Sequence, residues 1–498
     1  MAFKCKNCGG NVHYSIESGD LCCSYCNARF SIDEYEKNDA EYKKDAFETN
    51  IFVCPTCGAE LSSLDEESTA YCAYCGTQAV LKEKQIKNKP TYIIPFEQTP
   101  EKAKQKYADF IRKKLFVPNE LKDPNYINEF RGIYIPHWSY AIETNHEPFI
   151  IKGKKSYTSG SYDYVETYNI NVQIQNNLYD IVLDASEALD DTIASEIAPY
   201  QISGAVKFNE GYLAGFYADK ETTPPEKYND EINEIAADKI NKEIKGRTKL
   251  RITSEPTDGQ LFTGRTAHRL ALLPVWFLTY RKKDRVAYSV VNGQTGKMAM
   301  DLPVDKKKFF ITAGIVGTIL SIMFFLLSSA VLPQNIVTLT EALTFISSMV
   351  YLAEIKKIQK RENVGYKSNL PIVGPIIAML IAFVLCSILL SRNHGPIVTL
   401  TISVLQCMWT FKTIKRIETL KNKSGIKYTI IALVLMLVGS AISIINPVAD
   451  EWFYIAATAN IVGMLSNCFA AIHYFNDLTT RPVPNFFTRK GGFNHEEN

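Results

Sequence analysis

Cys5-Lys-Asn-Cys8-Gly9, answered by Cys23-Ser-Tyr-Cys26, and Cys54-Pro-Thr-Cys57-Gly58, answered by Cys72-Ala-Tyr-Cys75, decide how the front of this chain folds. Both quartets read C-x2-C-x14-C-x2-C, and every cysteine of the second lies 49 residues after its counterpart in the first. A glycine follows the second cysteine of each (Gly9, Gly58), and a tyrosine precedes the last (Tyr25, Tyr74). The segment is an internal duplication. Aligning the copies also settles a choice between neighbours: Cys22 falls opposite Tyr71, so Cys23 is the ligand and Cys22 the spare.

Tetrahedral geometry explains the spacing. A C-x-x-C turn brings two thiolates to one side of an ion, and a second turn, returning by a short hairpin, supplies the other two at about 2.3 Å. The glycine suits the positive φ of such a turn. Four protein ligands leave no position open for water, so the expectation is structural zinc, two ions in all. One is held by Cys5, Cys8, Cys23 and Cys26, the other by Cys54, Cys57, Cys72 and Cys75. Iron in the same all-thiolate cage is the alternative that sequence does not separate. Redox pairs or disulfides fit two identical quartets poorly. A unit of about 25 residues cannot bury a core of its own, and metal binding worth about 10–16 kcal/mol would hold it.

Charge bears on what such a head binds. The whole chain is nearly balanced, 55 basic against 53 acidic side chains in 498 residues, which excludes a globally basic nucleic-acid binder. The first 80 residues carry six basic and thirteen acidic side chains, a net −7. Each dication in a four-thiolate cage adds a further −2, for −11 over the module. Phosphate contacts need Lys and Arg, so the head is expected to bind protein or serve structure rather than grip a duplex.

The rest of the chain divides by polarity. Nine of the twelve cysteines precede residue 80, and residues 309–475 hold only six acids: Glu341, Glu354, Glu362, Glu418, Asp450 and Glu451. MAFKCKNCGG has no apolar run of the kind a cleavable signal carries, and the cysteine-rich front is expected to stay in a reducing cytoplasm. Six apolar stretches (309–332, 336–355, 370–390, 396–411, 428–445 and 452–475) suit a six-helix transmembrane domain of three hairpins in the lipid bilayer. Ile355-Lys-Lys-Ile358 and Ile414-Lys-Arg-Ile417, 59 residues apart, suggest that the hairpins repeat. Basic residues fill alternate loops, so both termini are expected on the cytoplasmic side of the cell (inner) membrane. Within the spans, Glu341, Gln406, Asn460 and Asn467 read as interhelical hydrogen-bonding groups.

Between head and spans lies a lysine-rich linker, Leu81 to Pro90, then an α+β antiparallel-sheet cytoplasmic domain. Thr91–Phe96 reads as a strand, and Pro100–Leu115 as a helix burying Ala103, Tyr107, Phe110, Ile111 and Leu115. Gly132–Thr144, Tyr164–Gln175, Tyr179–Leu183, Arg269–Arg281, Arg285–Val291 and Lys297–Leu302 read as strands. A helix capped at Thr223 is expected to bury Tyr228, Ile232, Ile235, Ala236, Ile240 and Ile244 and to end at Gly246. Ile135-Pro-His-Trp138 resembles Leu273-Pro-Val-Trp276, and proline argues for edges or bulges there. His137 and His268 read as core or surface groups. No H-E-x-x-H, G-x-S-x-G or G-x-x-x-x-G-K-[ST] occurs, and Gly293-Gln-Thr-Gly-Lys297 reads as a hairpin turn rather than a phosphate loop. No catalytic or cofactor-binding residue is expected beyond the metal ligands.

The expected organisation is ribbon 1 at 1–30, a helical connector and ribbon 2 at 31–80, the α+β domain at 91–305, the six-helix domain at 306–478 and a cytoplasmic tail at 479–498. With the CxxC pairs, Tyr92-Ile-Ile-Pro-Phe96, Lys113-Lys-Leu-Phe116, Gly132-Ile-Tyr-Ile-Pro-His-Trp138, Leu273-Pro-Val-Trp276 and Asn292-Gly-Gln-Thr-Gly-Lys297, the first 305 residues resemble a bacterial family of membrane proteins with an N-terminal TFIIB-type zinc ribbon. Genome labels for such chains include primosomal helicase, and relatives are implicated in anchoring phage-shock-type envelope-stress proteins at the membrane. The resemblance implies a non-enzymatic adaptor recruiting an unidentified cytoplasmic protein. A small-solute transporter or channel gated by the soluble front is the second reading, and nucleic-acid binding by the ribbons the third.

Overall fold

Near-continuous apolar and aromatic runs along Arg131–Thr144 and Phe262–Lys282 build the two strands on which the front of the molecule is organised. The computed structural model describes residues 4–33, 46–64, 69–186, 188, 191–248, 250–254, 256–326, 333–361, 395–420 and 422–487. It divides into two units: residues 1–113, 121–301 and 482–498, and residues 114–120 and 302–481.

In the first unit, β1 (Val12–Tyr14), β2 (Leu21–Cys23) and β3 (Arg29–Phe30) form the small sheet of ribbon 1. Strands β4 (Ala46–Val53), β5 (Glu60–Ser63), β6 (Thr69–Tyr71) and β7 (Gln78–Asn88) belong to ribbon 2. Then follow β8 (Tyr92–Ile93), β9 (Arg131–Thr144), β10 (Phe149–Ser159), β11 (Tyr162–Val172), β12 (Leu178–Asp184), β13 (Val206–Lys207), β14 (Tyr217–Asp219), β15 (Arg251–Ile252), β16 (Phe262–Lys282), β17 (Arg285–Asn292) and β18 (Met298–Met300). The large sheet runs β13-β8-β16-β9-β14-β5-β4-β7-β6, so ribbon 2 is continuous with the central sheet through Tyr217↔Ser63 and its neighbours. β14 runs parallel to β9, while the other pairs that β9 makes are antiparallel.

Several local expectations change. The lysine-rich stretch is not a linker but β7, paired with β4 from Ala46↔Asn88 to Val53↔Val80. Its lysines point mostly to solvent, which a hairpin arm allows and composition alone hides. Pro136 and Pro274 lie inside β9 and β16, central strands facing each other at Leu272↔Pro136 and Pro274↔Tyr134. A strand residue aims its N–H and C=O to the same side. Pro136 O accepts from Ala185 N, where β12 ends at His137 and β14 begins at Tyr134. Pro274 O accepts from Gly293 N, where β8 ends at Leu272 and β17 begins at Val275. Each missing donor thus faces a junction between two neighbouring strands, where no ladder bond is lost.

Helix α1 (Pro100–Arg112), capped by the Thr99 side chain accepting from Lys102 N, buries Ala103, Tyr107 and Ile111 but leaves Phe110 and Leu115 exposed. Helix α2 (Asn229–Thr248) starts after a 3-10 turn at Pro225–Tyr228, so Thr223 does not cap it, and Gly246 lies inside it. Its Ile232, Ala236, Ile240 and Ile244 pack on Tyr140, Ile142, Phe149 and Ile151. The Asn292–Lys297 turn closes through Asn292 N to Lys297 O, with Gly296 at φ +72°. It is a turn, as its spacing implies, and Gly296 takes the left-handed position.

The second unit is helical: α3 (Lys306–Leu326), α4 (Pro333–Arg361), α5 (Gly395–Ile417), α6 (Gly425–Ile445) and α7 (Glu451–Thr479). Among the described residues, three helices are long and apolar enough to cross a membrane, within Pro333–Gln359, Gly425–Ile445 and Glu451–Thr479. That is fewer than the six spans expected. The third expected span, 370–390, lies outside the described residues, as does the end of the first. α5 is diluted by Thr399, Thr401, Ser403, Gln406, Thr410 and Lys412.

Candidate metal centres

Four knuckles of one design build the two sites. In each, the N–H of the first cysteine donates to the carbonyl five residues on, and the N–H four residues on donates back to the cysteine carbonyl, over 2.8–3.1 Å. The returning residue has positive φ: Gly9 +72°, Asn27 +56°, Gly58 +76° and Gly76 +72°. Asparagine is among the residues that best tolerate this region without being glycine. Sequence reading singled out Gly9 and Gly58; the same offset applied to the second pair of each quartet would have found Asn27 and Gly76.

The knuckles bring both expected quartets together. Cys5, Cys8, Cys23 and Cys26 have their sulfurs within 4.8 Å of one another, as do Cys54, Cys57, Cys72 and Cys75. Facing sulfurs lie 3.5 Å apart for Cys5–Cys26 and Cys8–Cys23, and 3.3 and 3.6 Å for Cys54–Cys75 and Cys57–Cys72. A sulfur tetrahedron around one ion with bonds near 2.3 Å has edges of about 3.8 Å, so each quartet could hold a metal ion. Cys22 stays outside, its Sγ 3.9 Å from Ser18 Oγ.

The sulfur environments need positive charge. N–H groups of Cys26 and then Tyr25 pull the Cys23 thiol down to about 6, against desolvation. In ribbon 2, Cys54 is lowered by hydrogen bonds from Cys57, Cys72 and Cys75, while Cys72 is raised by Cys54, Cys57 and Cys75 and then by burial. Four thiols this close share protons rather than ionise together, until a cation compensates them.

The two copies differ in setting. All four ribbon 2 cysteines are fully buried, in a core with Ile133, Ile135, Val275, Phe277 and Tyr288. Thr77 Oγ1 lies 3.3 Å from Cys54 Sγ and 3.0 Å from Cys75 Sγ. Tyr288 OH donates to Tyr74 O over 2.7 Å, Thr279 Oγ1 donates to Ala73 O, and Phe486 N donates to Cys57 O over 2.6 Å. The last contact comes from beyond α7: Val483 N also donates to Asp284 O, and the Phe486 ring stands edge-on to Tyr74, 5.8 Å between centroids. Among the described residues, ribbon 1 is held by Tyr14 N donating to Ala214 O and by Tyr14 against Tyr212. Its Cys8 and Cys26 are exposed. The duplicated tyrosines have opposite fates, Tyr25 78% exposed and Tyr74 1%.

Elsewhere in this unit, His137 is buried with Nδ1 3.0 Å from Ile135 O, and burial pushes it down to about 4, the state of a neutral core group. His268 lies between the Trp138 and Tyr140 rings. A cavity of about 310 Å³ beside β16 is lined by Tyr92, Tyr140, Ser139 and apolar side chains, with Arg269 its one charged residue among those described.

Comparison with known proteins finds a similar chain in Bacillus subtilis (strain 168), the uncharacterized protein YdjG. It is 27% identical over 318 residues, which span 62% of this chain and 92% of that protein. No family model matches the chain. No solved structure matches it either.

Proposed function

We propose that this chain is a non-enzymatic adaptor, a zinc-ribbon head on a six-helix anchor that presents a protein-binding face on the cytoplasmic side of a bacterial cell membrane. The observation that carries the reading is the exposed knuckle face of ribbon 1. The same face on ribbon 2 is filled by Phe277, Tyr288 and Phe486, while Tyr25, Cys8 and Cys26 stay open to solvent. A duplicated module with one copy built into the core and the other left bare suits a scaffold with one free docking surface.

Zinc suits the closed all-sulfur donor sets and the absence of a position for substrate water. It would stabilise the fold at both sites and supply no reaction. The acidic head disfavours nucleic acid as the partner. Six spans, with helices α3 and α5 and the 370–390 stretch added to the three long apolar helices, would place both termini in the cytoplasm by the loop charges. The resemblance to ribbon-bearing membrane proteins supports an envelope-stress client.

The experiment is affinity capture of the full-length, detergent-solubilised protein and its Tyr25→Ala variant from their own membranes. The adaptor reading expects a defined partner to be lost from the variant while its zinc content and melting temperature stay unchanged. An identical partner set from both would remove ribbon 1 as the docking surface.

A further inference from the structure

Beyond the core, β10 and β11 run on as a free arm. At its root Phe149, Ile151, Ile170 and Val172 pack with α2. Further out the pairing continues without a bulge to Tyr157↔Tyr164 and Ser159↔Tyr162, closed by the two-residue turn Gly160–Ser161. β15 pairs with the other side of β10 only at Gly153 and Lys154, and β11 is the last strand of its sheet. Among the described residues its outer edge is therefore open over all eleven positions, eight of them exposed.

A long strand at a sheet edge is normally guarded by lysine, proline or a bulge. β11 reads Tyr162-Asp-Tyr-Val-Glu-Thr-Tyr-Asn-Ile-Asn-Val172 and has none of them. The lysines of the arm, Lys152, Lys154 and Lys155, stand on β10, the strand that is already paired. The edge instead shows strand-favouring side chains to solvent, Tyr162 72% exposed and Val165 58%. Its Glu166 carboxylate is engaged, accepting from Tyr157 OH over 3.0 Å and from Tyr168 OH.

Alternation along the ladder fixes which main-chain groups face out. A two-residue turn is closed by a bonded pair, here Ser159↔Tyr162. The even-numbered residues of β11 thus bond to β10, and the odd-numbered ones from Asp163 to Asn171 aim their N–H and C=O outward. An antiparallel second copy of β11, related by a two-fold axis at Thr167, matches this edge over its full length. On one face Tyr162 meets Val172 of the second copy, Tyr164 its Ile170 and Glu166 its Tyr168. On the other, Asp163 meets Asn171 and Val165 meets Asn169. No like charges face each other. Moving the axis to Glu166 sets two carboxylates together, and moving it to Tyr168 sets Glu166 against Ile170 and shortens the overlap. Bonded pairs at the outward-facing residues supply about ten main-chain hydrogen bonds, as many as a stable protein interface carries. We propose that β11 is a dimerisation edge, on which two copies of this chain join antiparallel about Thr167 and merge their arms into one continuous sheet. The proposal is independent of what ribbon 1 binds.

The test uses the full-length, zinc-loaded protein in detergent micelles. Light scattering over a dilution series should show a dimer that dissociates as the chain is diluted. Thr167→Pro removes an outward N–H and costs the β10 ladder nothing, while Thr167→Arg sets like charges across the axis. Each should raise the dissociation constant more than about tenfold and leave the melting temperature of the head unchanged. Paired Thr167 Cα atoms would lie about 5.5 Å apart, within disulfide reach, whereas Val165 would lie about 14 Å from its own counterpart. Mild oxidation should therefore link Thr167→Cys into a dimer, above the wild-type background, and leave Val165→Cys unlinked. A wild-type chain that stays monomeric at every concentration overturns the proposal, and so does a dimer indifferent to both Thr167→Pro and Thr167→Arg. Equal linking of Thr167→Cys and Val165→Cys overturns the pairing about Thr167. Thr167→Cys captured on a different protein in its own membranes assigns the edge to a foreign strand and overturns the second copy. The wild-type dilution series and the two exposed cysteine positions carry the decision even where Thr167→Pro folds poorly.

Discussion

Removing metal with a chelator should distinguish the two ribbons, because the copies share a ligand set but not a setting. Ribbon 1 exposes Cys8 and Cys26 directly to an attacking ligand, whereas the ribbon 2 sulfurs are reached only after the knuckles part from the central sheet and the Val483–Phe487 segment. That opening breaks the bonds from Tyr288 to Tyr74 O, from Thr279 to Ala73 O and from Phe486 to Cys57 O. At about 1 kcal/mol net for each bond, and about 2 kcal/mol for exposing the Tyr74 ring, opening costs about 5 kcal/mol more than it does in ribbon 1. A factor of ten per 1.4 kcal/mol converts this to release about 10³ to 10⁴ times slower. A chromophoric chelator added to the full-length protein should therefore register one equivalent of metal quickly and the second over a far longer time. Cys5→Ser with Cys8→Ser should delete the fast phase alone. A single phase of two equivalents, or a fast phase that survives loss of the ribbon 1 ligands, would refute a difference in burial that governs metal release.

Phe486→Ala removes an edge-on aromatic pair with Tyr74 worth about 1 kcal/mol, and should speed the slow phase about fivefold while leaving the fast one alone, in the same chelator assay. Tyr74→Ala should destabilise the head by about 3–5 kcal/mol and Tyr25→Ala by less than about 0.5 kcal/mol, read as melting temperatures of the zinc-loaded chain. His137 has its ordinary value of 6.5 pushed down to about 4 by burial. Its contribution to stability is therefore full above pH 6.5 and is lost as pH falls through about 4, roughly 3 kcal/mol in all. Melting curves of wild type and His137→Gln across that range should differ in slope, and parallel curves would exclude His137 as the acid-sensitive group. Asn27→Ala should cost about 1 kcal/mol through its positive φ while Asn27→Gly costs nothing, measured by melting the metal-loaded protein.

The metal sites were legible because their chemistry is local. Two C-x-x-C turns and a hairpin lie within each quartet, and the offset of 49 residues aligned both copies and rejected Cys22. The strands were legible where β-branched and aromatic residues run together, as in β9, β16 and β17. What the sequence could not show is set by distant partners. Tyr25 and Tyr74 occupy the same place in the repeat, but only Tyr74 meets Phe277, Tyr288 and Phe486, residues more than 200 positions away. The lysines of β7 hid a strand because exposed positions of a hairpin arm impose no apolar pattern. Pro136 and Pro274 argued for edges, since only the arrangement of β8, β12, β14 and β17 opens a gap opposite each of them. The segment after α7 read as a plain tail, yet Val483–Phe487 belongs to the packing of ribbon 2.

On the proposed reading, two four-cysteine groups, one within the core and one at the surface, each close around a zinc ion. X-ray absorption at the zinc edge, combined with elemental analysis of the purified full-length protein, tests that most directly. Two zinc ions per chain, each with four sulfur neighbours at about 2.3 Å, is the result expected. Fewer than two tightly held ions, or a first shell containing nitrogen or oxygen, would contradict it.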